Sequence, residues 1–119
     1  MDQVEILLAA VVKGLQEKKG HDIVIVDLRE MQGAICQYMV ICEGNNPHQV
    51  SALSDSVWEI AHKEAKEKAL AVHGGNNAQW IGMDYGTVIV HIFMHEIRSF
   101  YRLESLWEDS IMTKIPDAY

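Results

Sequence analysis

Six histidines, two cysteines and seventeen acidic residues are the side chains here that can hold a metal or move a proton. His91 and His95 stand four apart, a spacing that on a helix would stack two ligands on one face. The run Val88-Ile89-Val90-His91-Ile92-Phe93 reads instead as a strand, with His95 just beyond it. No glutamate completes a zinc-protease pattern and no paired-cysteine motif is present, so no metal is expected. Cys42 ends an apolar strand, has no activating base in sequence, and reads as a small core residue. Asp22 and Asp27 are separated by four apolar residues and Asp84 is alone in a turn, so no acid pair for metal-assisted phosphoryl transfer is legible. Gly44-Asn45-Asn46 precedes a helix and could hold an anion. It lacks both the glycine spacing of a dinucleotide fingerprint and the Gly-Lys-Ser/Thr of a P-loop, and capping accounts for its residues. No catalytic residue, cofactor or metal is expected.

The aromatic residues carry more. Trp80, Tyr85, Phe93, Phe100, Tyr101 and Trp107 crowd into the last third of the chain, and large aromatics are the usual anchors of protein interfaces. Phe93 and Phe100 read as core. Trp80, near a strand start, and Tyr85, in a turn, are expected to be partly exposed.

The elements that must position these residues follow from periodicity. Asp2 to Glu5 has capping-box spacing, and Val4, Leu7, Leu8, Val11 and Leu15 form a helical stripe that Gly20 stops. Ile23–Val26 and Tyr38–Cys42 read as strands buried on both faces. Asn46 caps a long helix running to about residue 70, with Pro47 in its first turn and Val50, Leu53, Val57, Ile60, Ala61 and Ala65 as its core stripe. Trp80–Met83 and Val88–Phe93 form a hairpin around Asp84-Tyr85-Gly86-Thr87, with Gly86 where positive φ is expected. Short helices follow, and residues after about 111 look like a loose tail. The order is α-β-β-α-β-β-α, an α/β fold with a mixed sheet covered by helices, in a single domain over 1–119.

Bulk properties narrow the partners. In 119 residues, 49% are apolar and 23% charged, the balance of a globular domain. A net charge of -7 repels phosphate backbones, so nucleic acid is not expected as the main partner. A basic protein suits it better. No run reaches the length of a membrane span. The acidic start has no signal character, and Cys36 and Cys42 cannot pair while a strand separates them. Free thiols fit a reducing compartment, and the expected location is cytoplasmic.

Three strings carry a family resemblance. Tyr38-Met39-Val40-Ile41-Cys42-Glu43-Gly44 runs into a short polar cap and Gln49; Trp80 is followed by Asp84, Gly86, His91 and Phe93; Arg98-Ser99-Phe100-Tyr101-Arg102-Leu103-Glu104-Ser105-Leu106-Trp107 closes the set. Over about residues 5–109 the chain resembles the Iojap-type ribosome-silencing factors. That resemblance implies a nucleotidyltransferase-like fold without the catalytic acids. It implies binding to ribosomal protein L fourteen of the large subunit, steric obstruction of small-subunit joining when nutrients are scarce, no catalysis, and homodimers when free. By motif, the implied partner-binding residues are Trp80, Met83, Asp84, Tyr85, Gly86, His91, Arg98, Tyr101, Leu106 and Trp107. Trp80, Met83, Tyr85 and Trp107 would be apolar anchors, and Arg98, Asp84 and His91 polar contacts. Tyr101, Leu106 and Trp107 either join that surface or brace it from behind. Gly82 and Met83 replace the bulkier aliphatic residues usual after the tryptophan, and Thr87 stands where the family has an acid. The alternatives are a nucleotide-binding or nucleotidyltransferase-type enzyme on the same fold, whose mark would be two carboxylates converging on a pocket near Gly44, and a metal-binding module on His91 and His95.

Overall fold

Asp2 caps the first helix, its Oδ1 accepting from Glu5 N at 2.8 Å, and α1 spans Gln3–Glu17. The computed structural model describes residues 2–74, 79–101, 110–117 and 119. Strands β1 (His21–Asp27) and β2 (Tyr38–Gly44) follow. Helix α2 (Pro47–Ile60) is capped by Asn46, whose Oδ1 accepts from Gln49 N, while Gln49 Oε1 accepts from Asn45 N. One π-helical turn, Ala61–Ala65, extends it. Then come β3 (Ala71–His73), β4 (Trp80–Asp84), β5 (Val88–Met94), α3 (His95–Tyr101) and β6 (Ile111–Ile115).

The six strands of the described residues form one sheet in the order β3-β4-β5-β2-β1-β6. It is mixed: β2 and β5 pair in parallel, from Tyr38 opposite Val88 to Gly44 opposite Met94, and the other pairs are antiparallel. The parallel partner of β2 is therefore the second strand of the later hairpin. All seven residues of β2 are buried, as a strand covered on both faces requires.

Side chains alternate along each strand, and the sheet has two cores. On one face, Leu7, Val11 and Leu15 of α1 and Val50, Leu53, Val57 and Ala61 of the α2 segment pack on Ile23, Val40, Cys42, Ile81, Met83, Val90 and Ile92. On the other, Val24, Val26, Met39, Ile41 and Phe93 pack with Leu28, Met31, Ala34 and Cys36 of the β1–β2 connection and with Ile97 of α3.

Three expectations change. The chain after residue 111 is a strand, not a loose tail: β6 pairs with β1 from Ile111 opposite Asp27 to Ile115 opposite Ile23. Asp117 accepts from Asp22 N and contacts His21 Nδ1 at 2.9 Å, and the Tyr119 hydroxyl donates to the Gly20 carbonyl. An exposed edge strand carries little apolar alternation, so its pattern was unreadable. Second, the long helix ends by residue 65, and Leu70 onward turns into β3, a three-residue edge strand. Third, Gly20 is not the helix stop. Lys19 takes the left-handed conformation (φ 59°), and Gly20 is needed because a Cβ there would lie 2.4 Å from Cys42 Sγ.

Gly14 has a similar role. A Cβ there would lie 2.8 Å from Val57 Cα, and Ser56 Oγ donates to the Gly14 carbonyl at 2.7 Å. The two helices cross on that glycine. Gly14→Val is expected to force α1 and α2 apart and lower stability by about 1–3 kcal/mol, read as a shift in urea midpoint without loss of helical circular dichroism.

Candidate functional site

The hairpin of β4 and β5 places its residues by parity. Ile81 and Met83 face the helices, whereas Trp80, Gly82 and Asp84 face the other way. On β5, Val88, Val90 and Ile92 join the helix-side core, leaving Ile89, His91 and Phe93 on the same side as Trp80.

That face carries an aromatic cluster. Trp80 is 43% exposed and stacks on fully buried Phe93, with centroids 5.4 Å apart and planes 17° from parallel. The His91 ring also stacks on Phe93 at 5.9 Å. Trp80 Nε1 donates to His91 Nδ1 at 3.1 Å, and burial holds His91 below the ordinary histidine value. Asp84 closes the hairpin turn, its Oδ1 accepting from Gly86 N at 2.7 Å, and Gly86 has φ 84°. Trp80, Asp84 and His91 thus share one face of the hairpin, with Trp80 at the end of β4 away from the turn and Gly86 in the turn itself.

Met83 and Tyr85 do not. Met83 is fully buried under α2, with Ser54 Oγ against its sulfur at 3.6 Å. Tyr85 is 4% exposed, and burial pushes its hydroxyl up to about 12. Expected as apolar anchors, both are core residues of the opposite face, because odd positions after Trp80 point to the helices. Arg98 also departs from its expected place as a partner contact. It is buried, ion-paired with Glu43 at 3.3 Å and donating to the Asp22 carbonyl at 2.6 Å. Tyr101 lies in α3, but its side chain, like Leu106 and Trp107, lies outside the described residues.

Glu43 is the residue that sequence reasoning missed. It lies in β2, and a carboxylate in a run this buried requires cationic partners. Two come from α3: Arg98, and His95 with its Nδ1 3.0 Å from Glu43 Oε2. The same cluster grips β1 where Asp22 adopts a left-handed φ of 50° beside an irregularity in register. A cleft of about 500 Å³ opens here, lined by Asp22, Glu43, Arg98, Lys114 and Asp117 among others. This is the pocket near Gly44 where an enzyme would converge two carboxylates. Glu43 is instead committed to His95 and Arg98, and Asp117 to His21 and Asp22. His91 and His95, the candidate metal pair, have different partners, and among the described residues no group of three His, Cys, Asp or Glu side chains is placed to hold a metal.

The Glu43 carboxylate holds His95 above the ordinary histidine value. The charged contact is complete below about pH 6.5 and is lost as pH rises through the raised folded value. Arg98→Met, which strands Glu43, is expected to cost on the order of 3 kcal/mol. The loss should be greater at pH 8.5 than at pH 5.5, where His95 still offers a charge. Urea midpoints of both proteins at the two pH values check this.

Comparison with known proteins identifies the lineage. The profile of the family described as "Ribosomal silencing factor during starvation" matches residues 1–118. The ribosomal silencing factor of Haemophilus influenzae is 38% identical over 101 residues, covering 85% of this chain and 97% of that protein. That of Bacillus subtilis is 33% identical over 110 residues, covering 92% and 91%. A crystal structure of a Chromobacterium violaceum protein superposes with a TM-score of 0.83 at 27% identity, covering 99% of this chain and 97% of that one. No helix among the described residues is long and apolar enough to cross a membrane. A profile match over nearly the whole length, and identities above 30% across most of both chains, place this protein in the ribosomal silencing factor family.

Proposed function

We propose that this chain represses translation in the cytoplasm, without catalysis, by docking on ribosomal protein L fourteen of the large subunit and obstructing small-subunit joining. The observation that carries this reading is the half-exposed Trp80, stacked on buried Phe93 on the sheet face opposite α1 and α2. A rigid indole, backed by core and held beside His91, has the form of an interface hot spot. The net charge of -7 suits a basic ribosomal protein better than ribosomal RNA. Steric obstruction needs only a bound body of this size. In the free protein the same face is the surface through which two copies would pair.

Co-sedimentation with isolated large subunits, with joining scored in the same gradients, tests the proposal. Saturable binding and fewer joined ribosomes are expected; absence of binding at moderate salt would sink it. Trp80→Ala should weaken binding by about 2–4 kcal/mol and leave the melting temperature nearly unchanged. Met83→Ala should do the reverse, costing about 2–5 kcal/mol of stability while the folded fraction binds normally. Equal loss of binding in both variants would contradict the division of β4 into a docking face and a core face.

A further inference from the structure

The docking reading leaves open what holds Trp80 in place. An indole 43% exposed at the start of a strand has two side-chain torsions to fix. Stacking on Phe93 restrains its plane but not its direction. The Nε1–H to His91 Nδ1 bond supplies direction, and it can form only when His91 is neutral with its proton on Nε2.

Gly82 leaves the space for that bond. Gly82 lies between Trp80 and Asp84 on the same face and is paired in register with His91. A Cβ built on Gly82 would sit 3.8 Å from His91 Nδ1 and 4.0 Å from Trp80 Nε1. One methyl would fit, but a bulkier aliphatic side chain would enter the notch where donor and acceptor meet.

We propose that His91 is the positioning residue of the docking face: its neutral ring, seated over Gly82 and stacked on Phe93, fixes the Trp80 indole in the orientation presented to the ribosomal protein. His91 acts through Trp80, and the inference rests on the docking reading above. Protonating Nδ1 removes the acceptor and releases the indole. Among the described residues, titratable groups on this face include His73 on β3, in the same row beyond Gly82, Asp84 on β4, Glu43 on β2, Cys36 in the β1–β2 connection, Lys114 on β6, and His95, Glu96 and Arg98 on α3. Asp84 is held by Gly86 N, and Glu43 by His95 and Arg98. Burial favours the neutral form of His91.

Two measurements on the full chain test this. The first is the indole N–H resonance of Trp80, followed by heteronuclear NMR from pH 8 to pH 5 in the free protein. In the wild type it should shift as pH falls below the ordinary histidine value of about 6.5. His91→Phe and Gly82→Leu should show the released position at every pH. His91→Gln, whose amide oxygen accepts but does not titrate, should hold the bound position throughout. The second is large-subunit binding across the same range. His91→Phe should lose about three- to ten-fold in affinity at pH 7.5, the worth of one hydrogen bond, and His91→Gln should bind with a flattened pH profile. A Trp80 resonance indifferent to both pH and the His91 substitutions overturns the proposal, as does wild-type affinity in His91→Phe. If the wild type binds no subunit while the indole responds as described, the docking reading fails and takes this role of His91 with it, an outcome separable from failure of the His91 role alone.

Discussion

Strands display side chains alternately to two faces, and this one constraint organises the molecule. The sheet is sealed on one side by α1 and α2, so every second residue of the β4–β5 hairpin belongs to that core: Ile81, Met83, Val88, Val90 and Ile92. The intervening positions, Trp80, Gly82, Asp84 and His91, are left to the opposite side. Phe93 lies between the two roles. It belongs to the second core, yet it supports the exposed indole. The surface is therefore rigid because its foundation is packed protein, and its aromatic content costs little stability because half of it is already buried.

The second side of the sheet has a polar pin. Glu43 sits where a buried strand would ordinarily be apolar, and two residues of α3 converge on it. Arg98 also reaches the carbonyl of Asp22, so one guanidinium joins β1, β2 and α3. A buried ion pair gives little net stability, since desolvation offsets most of its Coulomb energy. Its value here is registry: α3 has one way to satisfy the carboxylate, and that way fixes the helix across the end of the sheet next to the aromatic face.

Most of the scaffold was legible in the sequence for local reasons. The caps of α1 and α2 were visible as Asp2 and Asn46, β1 and β2 as uninterrupted apolar runs, and the hairpin turn as Asp84 to Gly86, with the positive φ at Gly86. The elements missed, β3 and β6, are edge strands whose stability comes from one neighbour and whose sequences alternate weakly. Of the residues the resemblance marks for a partner, Trp80, Asp84 and His91 share a face. The motif groups Met83 and Tyr85 with Trp80, but the two-residue period of the strand sends them inward. Arg98 and Glu43 could have been linked only by knowing that α3 returns over β2, a long-range fact that spacing does not encode.

The placement of β6 has a consequence for how the chain is made. β1 is among the first elements synthesised, and it finds β2 promptly through a short connection. Its other edge stays open until residues 111–115 arrive to cover it. The parallel pairing of β2 with β5 likewise waits for the chain to return from Gly44 to Val88, a loop closure that is slow by its length. During synthesis the nascent protein therefore presents an unpaired β1 edge bearing Ile23, Val24, Ile25 and Val26, the kind of edge on which chains associate. Pairing with β6 is what covers that edge in the folded protein.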